Sequence, residues 1–242
     1  MSRTMEPMTS APRHPGLPAG YVDRAGSLDD LPAAMEICEL NERRVIDDTT
    51  GFARHFRIFW TSPETDITRD LRVIENTEGE TAGFAHVRVE RPYVQARFMG
   101  YVHPDHYGMG LGTFLAEWAE NRARQIMERA PGGVRTSMHQ GVVAGDELAG
   151  ALLRAHGFEI TRHFVFMVID FDGPPQPPVW PEGVELRPVD WKEHGRLISA
   201  ADNEIFQDHW GFVPRSDDDA YAHMRHWFEN DPDVDPTLWF VA

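Results

Sequence analysis

The spacing of apolar residues predicts the main helices. A first helix is expected after Ser27, whose side chain suits an N-cap with Asp30 three residues on. A long helix is expected from Leu111, because apolar residues recur on one face as far as Met127 before Pro131 ends the pattern. Further helical patterns cover residues 52–60, 147–155 and 191–201.

Strands are predicted where apolar and polar residues alternate or where a short run is apolar throughout. Residues 71–102 contain three such stretches joined by short turns, which is typical of an antiparallel meander. Residues 163–171 form a longer apolar run, from which we expect a buried strand. Together with shorter strands at 21–24 and 134–140, these elements predict an α/β (α+β) protein.

Proline content divides the chain. Residues 1–20 lack apolar periodicity and are expected to form a mobile tail, and residues 21–172 contain the first domain. Residues 173–183 are rich in proline and predict an extended linker. Residues 184–242 repeat the opening strand and helix at an offset near 163, so they predict an incomplete second copy that stops at Ala242 within a longer protein.

Composition narrows the class of protein. The chain has 242 residues, 41% of them hydrophobic, which is enough for a core. The net charge of −16 argues against a broad nucleic-acid-binding surface, and no apolar run is long enough to cross a membrane. We therefore expect a cytoplasmic protein without nucleic-acid or membrane partners. The single cysteine, Cys38, is interpreted as a core residue, and no metal site is predicted, since His103 and His106 lack further ligands.

The segment after the third meander strand is rich in glycine. Gly108, Gly110 and Gly112 lie between a predicted strand and the long helix that begins at Leu111. Glycines let backbone N–H groups approach a ligand closely, and the helix N-terminus favours an anion. In so acidic a protein, these amides could hold a phosphate without a basic surface.

Several interpretations of this loop are open at this point. A Walker loop requires Gly-Lys-Ser/Thr, which is missing. The dinucleotide fingerprint requires glycine at its sixth place, where Thr113 stands, and an early position in a parallel βαβ unit. A glycine-rich turn without any ligand is the remaining alternative.

Val102-His-Pro followed by Tyr-Gly-Met-Gly-Leu-Gly resembles the acetyl-coenzyme A motif of the GNAT acetyltransferase superfamily. The later segment 152–158 resembles the family's second conserved segment, and the order of elements from residue 21 to 171 agrees with it. The second unit resembles that of tandem-domain members such as the mycothiol synthases. The resemblance implies a mixed, mostly antiparallel sheet flanked by helices.

The resemblance also implies roles for individual residues. Main-chain groups of Gly100 and Tyr101 would stabilise the charge that develops on the acetyl oxygen, and Glu90 is the candidate base, with Glu42 as a second carboxylate. No covalent intermediate is needed, so Cys38 has no role as a nucleophile. The residues implied to hold the carrier are Val102, Tyr107, Gly108, Met109, Gly110, Leu111, Gly112 and Thr113.

Two positions depart from the family pattern. Tyr107 stands where arginine or glutamine is usual, and Leu153 stands where many members place a tyrosine that serves as general acid. The hypothesis is an enzyme that transfers acetyl from acetyl-CoA to an amine of a small molecule by direct attack. The alternatives are a catalytically degenerate acyl-CoA-binding or regulatory module and a nicotinamide-dependent oxidoreductase. Phe56, Phe59 and Trp60 are expected either to line the acceptor pocket or to pack in the core.

Overall fold

The computed structural model describes residues 1–4, 16–46, 51–165 and 167–242. Its main sheet has six strands in the order β1-β6-β5-β4-β3-β2. The strands are β1 (Ser2–Thr4), β2 (Tyr21–Ala25), β3 (Leu71–Asn76), β4 (Thr81–Val89), β5 (Gln95–Val102) and β6 (Ser137–His139). The helices of the first domain are α1 (Leu31–Arg43), α2 (Phe56–Trp60), α3 (Ile67–Asp70), α4 (Leu111–Met127) and α5 (Glu147–Ala155).

Neighbouring strands from β2 to β5 are antiparallel, and β5 and β6 are parallel. This mixed, mostly antiparallel sheet confirms the predicted fold class. It also disagrees with a dinucleotide-binding fold, which would place the glycine loop in a parallel βαβ unit. No helix in the described part of the chain is both long and apolar enough to cross a membrane.

The sheet separates two apolar cores. On one face, α4 and the residues after α5 cover Phe98 and Ala85, and Phe158 lies with its ring 5.9 Å from that of Phe98. On the other face, α1 and α2 cover Phe84 and Leu71. Phe56, Phe59 and Trp60 belong to this second core and are almost fully buried, so they pack in the core and do not line an open pocket.

The first helix begins as predicted. Ser27 and Asp30 form a capping box, in which the Ser27 side chain accepts a bond from a backbone N–H and the Asp30 carboxylate accepts one from the N–H of Ser27. A short 3₁₀ turn precedes α1, which places Cys38 in the core. Burial raises the pKa of the Cys38 thiol to about 12, in agreement with a packing role.

The predicted strand at 163–171 is wrong. The described residues of this run form no helix or strand, and several of their large apolar side chains are more than half exposed. The prediction for residues 1–20 is also wrong at its start, because β1 pairs with β6 through Ser2–Thr4. Residues 5–15 of that expected tail lie outside the described residues. The strand expected at 134–140 is shorter, at Ser137–His139.

The second unit contains β7 (Arg187–Pro188), α6 (Trp191–Ile205), α7 (Asp217–Asn230) and β8 (Phe240–Val241). Sequence patterns predicted the strand and α6 but missed α7. β7 and β8 are antiparallel, with Arg187 opposite Val241. α7 packs on α2, since the Trp227 ring lies 5.7 Å from that of Phe59 and the His226 ring pairs with the Ile58 carbonyl at 2.9 Å. The second unit therefore rests on the α1–α2 face of the first domain.

One histidine in the sheet is fully buried and has consequences for stability at low pH. His86 on β4 has no exposed surface, and neither ring nitrogen has a hydrogen-bond partner among the described residues. Burial, with a smaller contribution from Arg88, lowers the pKa of His86 to about 3. The unfolded chain binds a proton at this residue below about pH 6.5, whereas the native protein does not. Stability therefore falls as the pH drops through this range.

We predict that His86→Leu reduces the loss of unfolding free energy between pH 7 and pH 5 by about 2 kcal/mol relative to the parent chain. Urea unfolding at the two pH values measures this difference. The same substitution at His209, which is exposed, is the control and should leave the pH dependence unchanged. An equal pH dependence of the unfolding free energy in His86→Leu and in the parent would show that His86 does not cause the loss of stability at low pH.

Candidate functional site

The glycine-rich loop lies between the end of β5 and the start of α4. Gly108 and Gly110 have positive φ angles of 76° and 85°, and Gly110 is the N-cap of α4. Such angles are rarely adopted by residues with a Cβ, so both positions require glycine. Gly108, Met109 and Gly110 are exposed.

The backbone N–H groups of the loop are available to a ligand. His106 and Tyr107 donate to the carbonyls of His103 and Pro104, and Phe114 donates to Gly110. Within the described ranges, no bond is found from the N–H groups of the intervening residues 108–113. These unbonded donors lie at the positive end of a 17-residue helix, where an anion is stabilised.

Asn41 on α1 holds the start of this loop. Its Nδ2 donates to the Val102 carbonyl at 3.0 Å and to the Ile37 carbonyl at 2.7 Å. Its Oδ1 accepts a hydrogen bond from the Tyr107 hydroxyl. Asn41 therefore joins α1, the end of β5 and the loop, a role that its position in the sequence did not reveal. The Tyr107 side chain, at the position where the resemblance implies arginine or glutamine, serves this contact.

A second tyrosine holds the other part of the loop. The Tyr21 hydroxyl lies 2.9 Å from His106 Nδ1 and donates to Met109 Sδ at 2.8 Å. His103 Nδ1 accepts a hydrogen bond from the N–H of Asp105 at 3.3 Å. Both histidines thus have local hydrogen-bonding roles. An Asp105 carboxylate oxygen lies 3.8 Å from His103 Nδ1, but in the described part of the chain these side chains do not form a group of three whose ligand atoms lie close together.

The end of β5 leaves main-chain groups unpaired on the side opposite β4. β6 pairs with β5 only at residues 95–97, so residues 98–102 have no ladder partner on that side in the described structure. His103 N–H donates to the Ala82 carbonyl at 2.8 Å, and bonding alternates along an antiparallel pair. The main-chain groups of Tyr101 therefore face β4, whereas those of Gly100 and Val102 face this gap.

The structure does not bring Glu90 to this gap. Gly100 is opposite Ala85, and Glu90 lies five residues further along the chain, which is roughly 17 Å in a strand. Glu90 instead contacts Arg88 at 3.5 Å, His223 at 3.6 Å and Arg215 in the second unit. Burial would raise the pKa of Glu90, but nearby positive charges, with Arg88 the strongest, outweigh it and leave the pKa lowered. An ion-paired carboxylate of this kind is a poor base.

Glu42, the second carboxylate, lies closer to the end of β5. It is buried on α1, directly after Asn41, and its charge raises the pKa values of Cys38 and Tyr101. The largest cause of both increases is burial. The Tyr101 side chain lies on the α1–α2 face and hydrogen-bonds Cys38, so it does not enter the gap through which Gly100 is exposed.

α5 carries no proton donor at residue 153. α5 begins at Asp146, whose Oδ1 accepts a bond from Ala149 N–H at 3.0 Å. Leu153 is buried against the α4 core. A leucine side chain has no proton to donate, so Leu153 cannot serve as a general acid.

Several solved structures resemble this chain. A GCN5-related N-acetyltransferase from Sphaerobacter thermophilus has 26% identity and a TM-score of 0.67, covering 93% of this chain and 68% of that chain. A phosphinothricin acetyltransferase of the GNAT superfamily from Sinorhizobium meliloti, solved with acetyl-CoA, has 18% identity and a TM-score of 0.41, over 59% of this chain and 77% of that one. The structure of yncA from Salmonella typhimurium, solved with its cofactor acetyl-CoA, has 20% identity and a TM-score of 0.44, and the match covers 60% of this chain and 82% of that one.

No protein-family model and no curated protein sequence matches the chain. The chain has the fold of the GNAT acetyltransferases, and the likeness to the Sphaerobacter structure supports this superfamily. The fold prediction is therefore confirmed.

We predict that Asn41→Ala weakens binding of acetyl-CoA about tenfold, since the loop loses hydrogen bonds that are each worth about 1 kcal/mol. Isothermal titration calorimetry measures the affinity. Arg43→Ala on the same helix removes only an exposed ion pair with Glu39 and is the matched control. An affinity in Asn41→Ala equal to that of the control would show that Asn41 does not hold the loop.

Proposed function

We propose that the chain binds acetyl-CoA and transfers its acetyl group to an amine of a small molecule. The observation that carries this proposal is the set of unbonded N–H groups at residues 108–113, which lies directly beyond the unpaired end of β5. One ligand with a diphosphate and a long thioester arm would satisfy both features. The carrier supplies an activated acyl group, and this chain supplies its orientation.

The residues present fit such a carrier. The amides of Gly108, Met109, Gly110, Leu111, Gly112 and Thr113 are donors for a diphosphate, and the exposed side of the loop is open to it. An ideal Cβ at Gly108 would meet no atom within 4 Å, so no neighbouring residue crowds that position. The main chain of Gly100 and Val102 faces the gap along which the arm would lie. Val102 contributes its N–H, because its carbonyl is already bonded to Asn41.

Catalysis follows from the same geometry. A fixed N–H at Gly100 can stabilise negative charge that develops on a carbonyl oxygen in the gap, a contribution worth about 10²–10³ in rate. We infer that Glu42, in place of Glu90, accepts the proton of the acceptor amine, because it follows Asn41 on α1, whose side chain bonds the Val102 carbonyl at the end of β5. Leu153 provides no proton for the departing thiolate, so we expect a slow enzyme.

We further propose that residues 184–242 are the opening part of a second GNAT-like domain. The order strand, helix, helix, strand in β7, α6, α7 and β8 resembles that from β2 to β3, where the four-residue helix α3 is additional. Arg24 pairs with Val73 in the first ladder, and Arg187 pairs with Val241 in the second. Tandem organisation of the mycothiol synthase type would account for this correspondence.

Gly110→Asp tests the binding site. We expect at least about a hundredfold loss of affinity for acetyl-CoA, because the substitution adds a carboxylate where the diphosphate must approach. Gly133→Asp is the control, since Gly133 has a similar φ of 78° and lies in an exposed turn after α4. Calorimetry with acetyl-CoA and with NAD measures both variants. Unchanged affinity for acetyl-CoA in Gly110→Asp, or binding of NAD alone, would contradict the proposal.

Glu42→Gln and Glu90→Gln test the choice of base. Loss of a general base lowers turnover by about 10²–10⁴, so we expect Glu42→Gln to release free thiol at least about a hundredfold more slowly at unchanged acetyl-CoA affinity. Glu90→Gln should retain turnover within about twofold, because its ion pairs do not contact the gap. A panel of small amines is the acceptor set. Binding of acetyl-CoA with no thiol release in the parent chain would favour the degenerate module.

A further inference from the structure

Three potential metal ligands meet where the end of α7 approaches α2. His55 ends the 3₁₀ turn Phe52–His55 that leads into α2, and Asp231 and Asp233 follow α7. One ligand atom from each of these side chains lies within 4.8 Å of the other two, and no second group of this kind is found within the described ranges. The sequence predicted no metal site, because these residues come from distant parts of the chain.

The distances in this group are those of a tetrahedral metal site. His55 Nε2 lies 3.1 Å from Asp233 Oδ2 and 3.5 Å from Asp231 Oδ1. Bonds from Zn²⁺ to imidazole nitrogen and carboxylate oxygen are about 2.0–2.2 Å long, so two such ligands at a tetrahedral angle lie about 3.3–3.6 Å apart. The three side chains would therefore move little on binding this ion.

The chemistry of the three ligands favours a transition metal. Mg²⁺ and Ca²⁺ prefer oxygen ligands alone, whereas an imidazole nitrogen with carboxylate oxygens suits Zn²⁺. A single N–H at His55 Nε2 can be directed at one oxygen only, whereas a metal ion contacts all three atoms. An ion between the carboxylates of Asp231 and Asp233 would also remove the repulsion between their charges.

The surroundings hold the ligands in position. The His55 ring lies 6.3 Å from that of Trp227 on α7. The Asp231 side chain is only 12% exposed, and its Oδ1 accepts a hydrogen bond from the N–H of Asp233 at 2.8 Å. Arg54 Nη1 lies 2.9 Å from Asp233 Oδ1, which leaves Oδ2 of that carboxylate to face His55. Ligands that are oriented by such contacts lose less conformational freedom when they bind.

We propose that His55, Asp231 and Asp233 bind one Zn²⁺ ion, which fastens the end of α7 to the turn before α2. The three side chains leave one coordination position for water. The ion would add to the contacts that α7 already makes with Phe59 and the Ile58 carbonyl. None of the three ligands belongs to the glycine loop or to β5, so the proposal does not rest on binding of acetyl-CoA.

Calorimetry of the full chain, freed of metal with a chelator and titrated with Zn²⁺ at pH 7, tests the site. We expect one ion per chain with a Kd below about 10 μM. His55→Ala should weaken binding at least about a hundredfold, because one of three ligands is lost. Asp231→Asn should have a similar effect, and it preserves the shape of the side chain and its hydrogen-bond acceptor.

His209→Ala is the control, because His209 is exposed and follows Asp208 on another part of the surface. Its affinity for Zn²⁺ should equal that of the parent. A parent chain with no binding below about 1 mM would overturn the proposal. So would equal affinities in His55→Ala, Asp231→Asn and the control, or tighter binding of Mg²⁺ or Ca²⁺ than of Zn²⁺.

Hydrogen exchange tests whether the ion fastens α7. With Zn²⁺ bound, amide exchange at residues 226–231 should slow at least about threefold in the parent and stay unchanged in Asp231→Asn. Equal exchange in the parent with and without Zn²⁺ would overturn the role of the ion in holding α7.

Discussion

The candidate site depends on backbone N–H groups for which the described residues provide no acceptor. Residues 108–113 turn from β5 into α4, and positive φ angles at Gly108 and Gly110 are what allow the chain to make this turn. Unbonded donors at a helix N-terminus require solvent or an anion. Neighbouring side chains hold the loop: Asn41 joins it to α1 and β5, and Tyr21 joins it to β2.

The proposed mode of binding agrees with the acidic composition of the chain. A net charge of −16 would oppose capture of an anion by a basic surface, whereas main-chain dipoles act only within the first turn of the helix. Glu90 is ion-paired to Arg88 and to Arg215, whereas Glu42 lies on the helix that holds the loop. The position of each carboxylate along its element, more than its residue type, therefore favours Glu42 as the proposed base.

Most helices and strands of the main sheet region could be predicted from the sequence, because local residue patterns determine them. The capping box at Ser27, the stripe from Leu111 and the alternation in β4 each indicated elements that the structure contains. The glycine loop could be located as well. Asn41 could not, since its contacts join segments that are 61 and 66 residues apart in the chain. α7 was missed because its apolar stripe is weak, although Ser216 and the acidic residues that follow it are a helix start signal. The strand predicted at 163–171 is wrong because an apolar run indicates that side chains are buried but does not indicate what they are buried against.

The most direct measurement of the central claim is an NMR titration of glycine-labelled protein with acetyl-CoA. We expect large downfield shifts of the amide protons of Gly108, Gly110 and Gly112, because these donors acquire charged acceptors. A smaller shift is expected at Gly100, and none at the distant turn glycines Gly79 and Gly133. Saturation with no movement of the loop glycines, or shifts confined to other parts of the chain, would contradict the account.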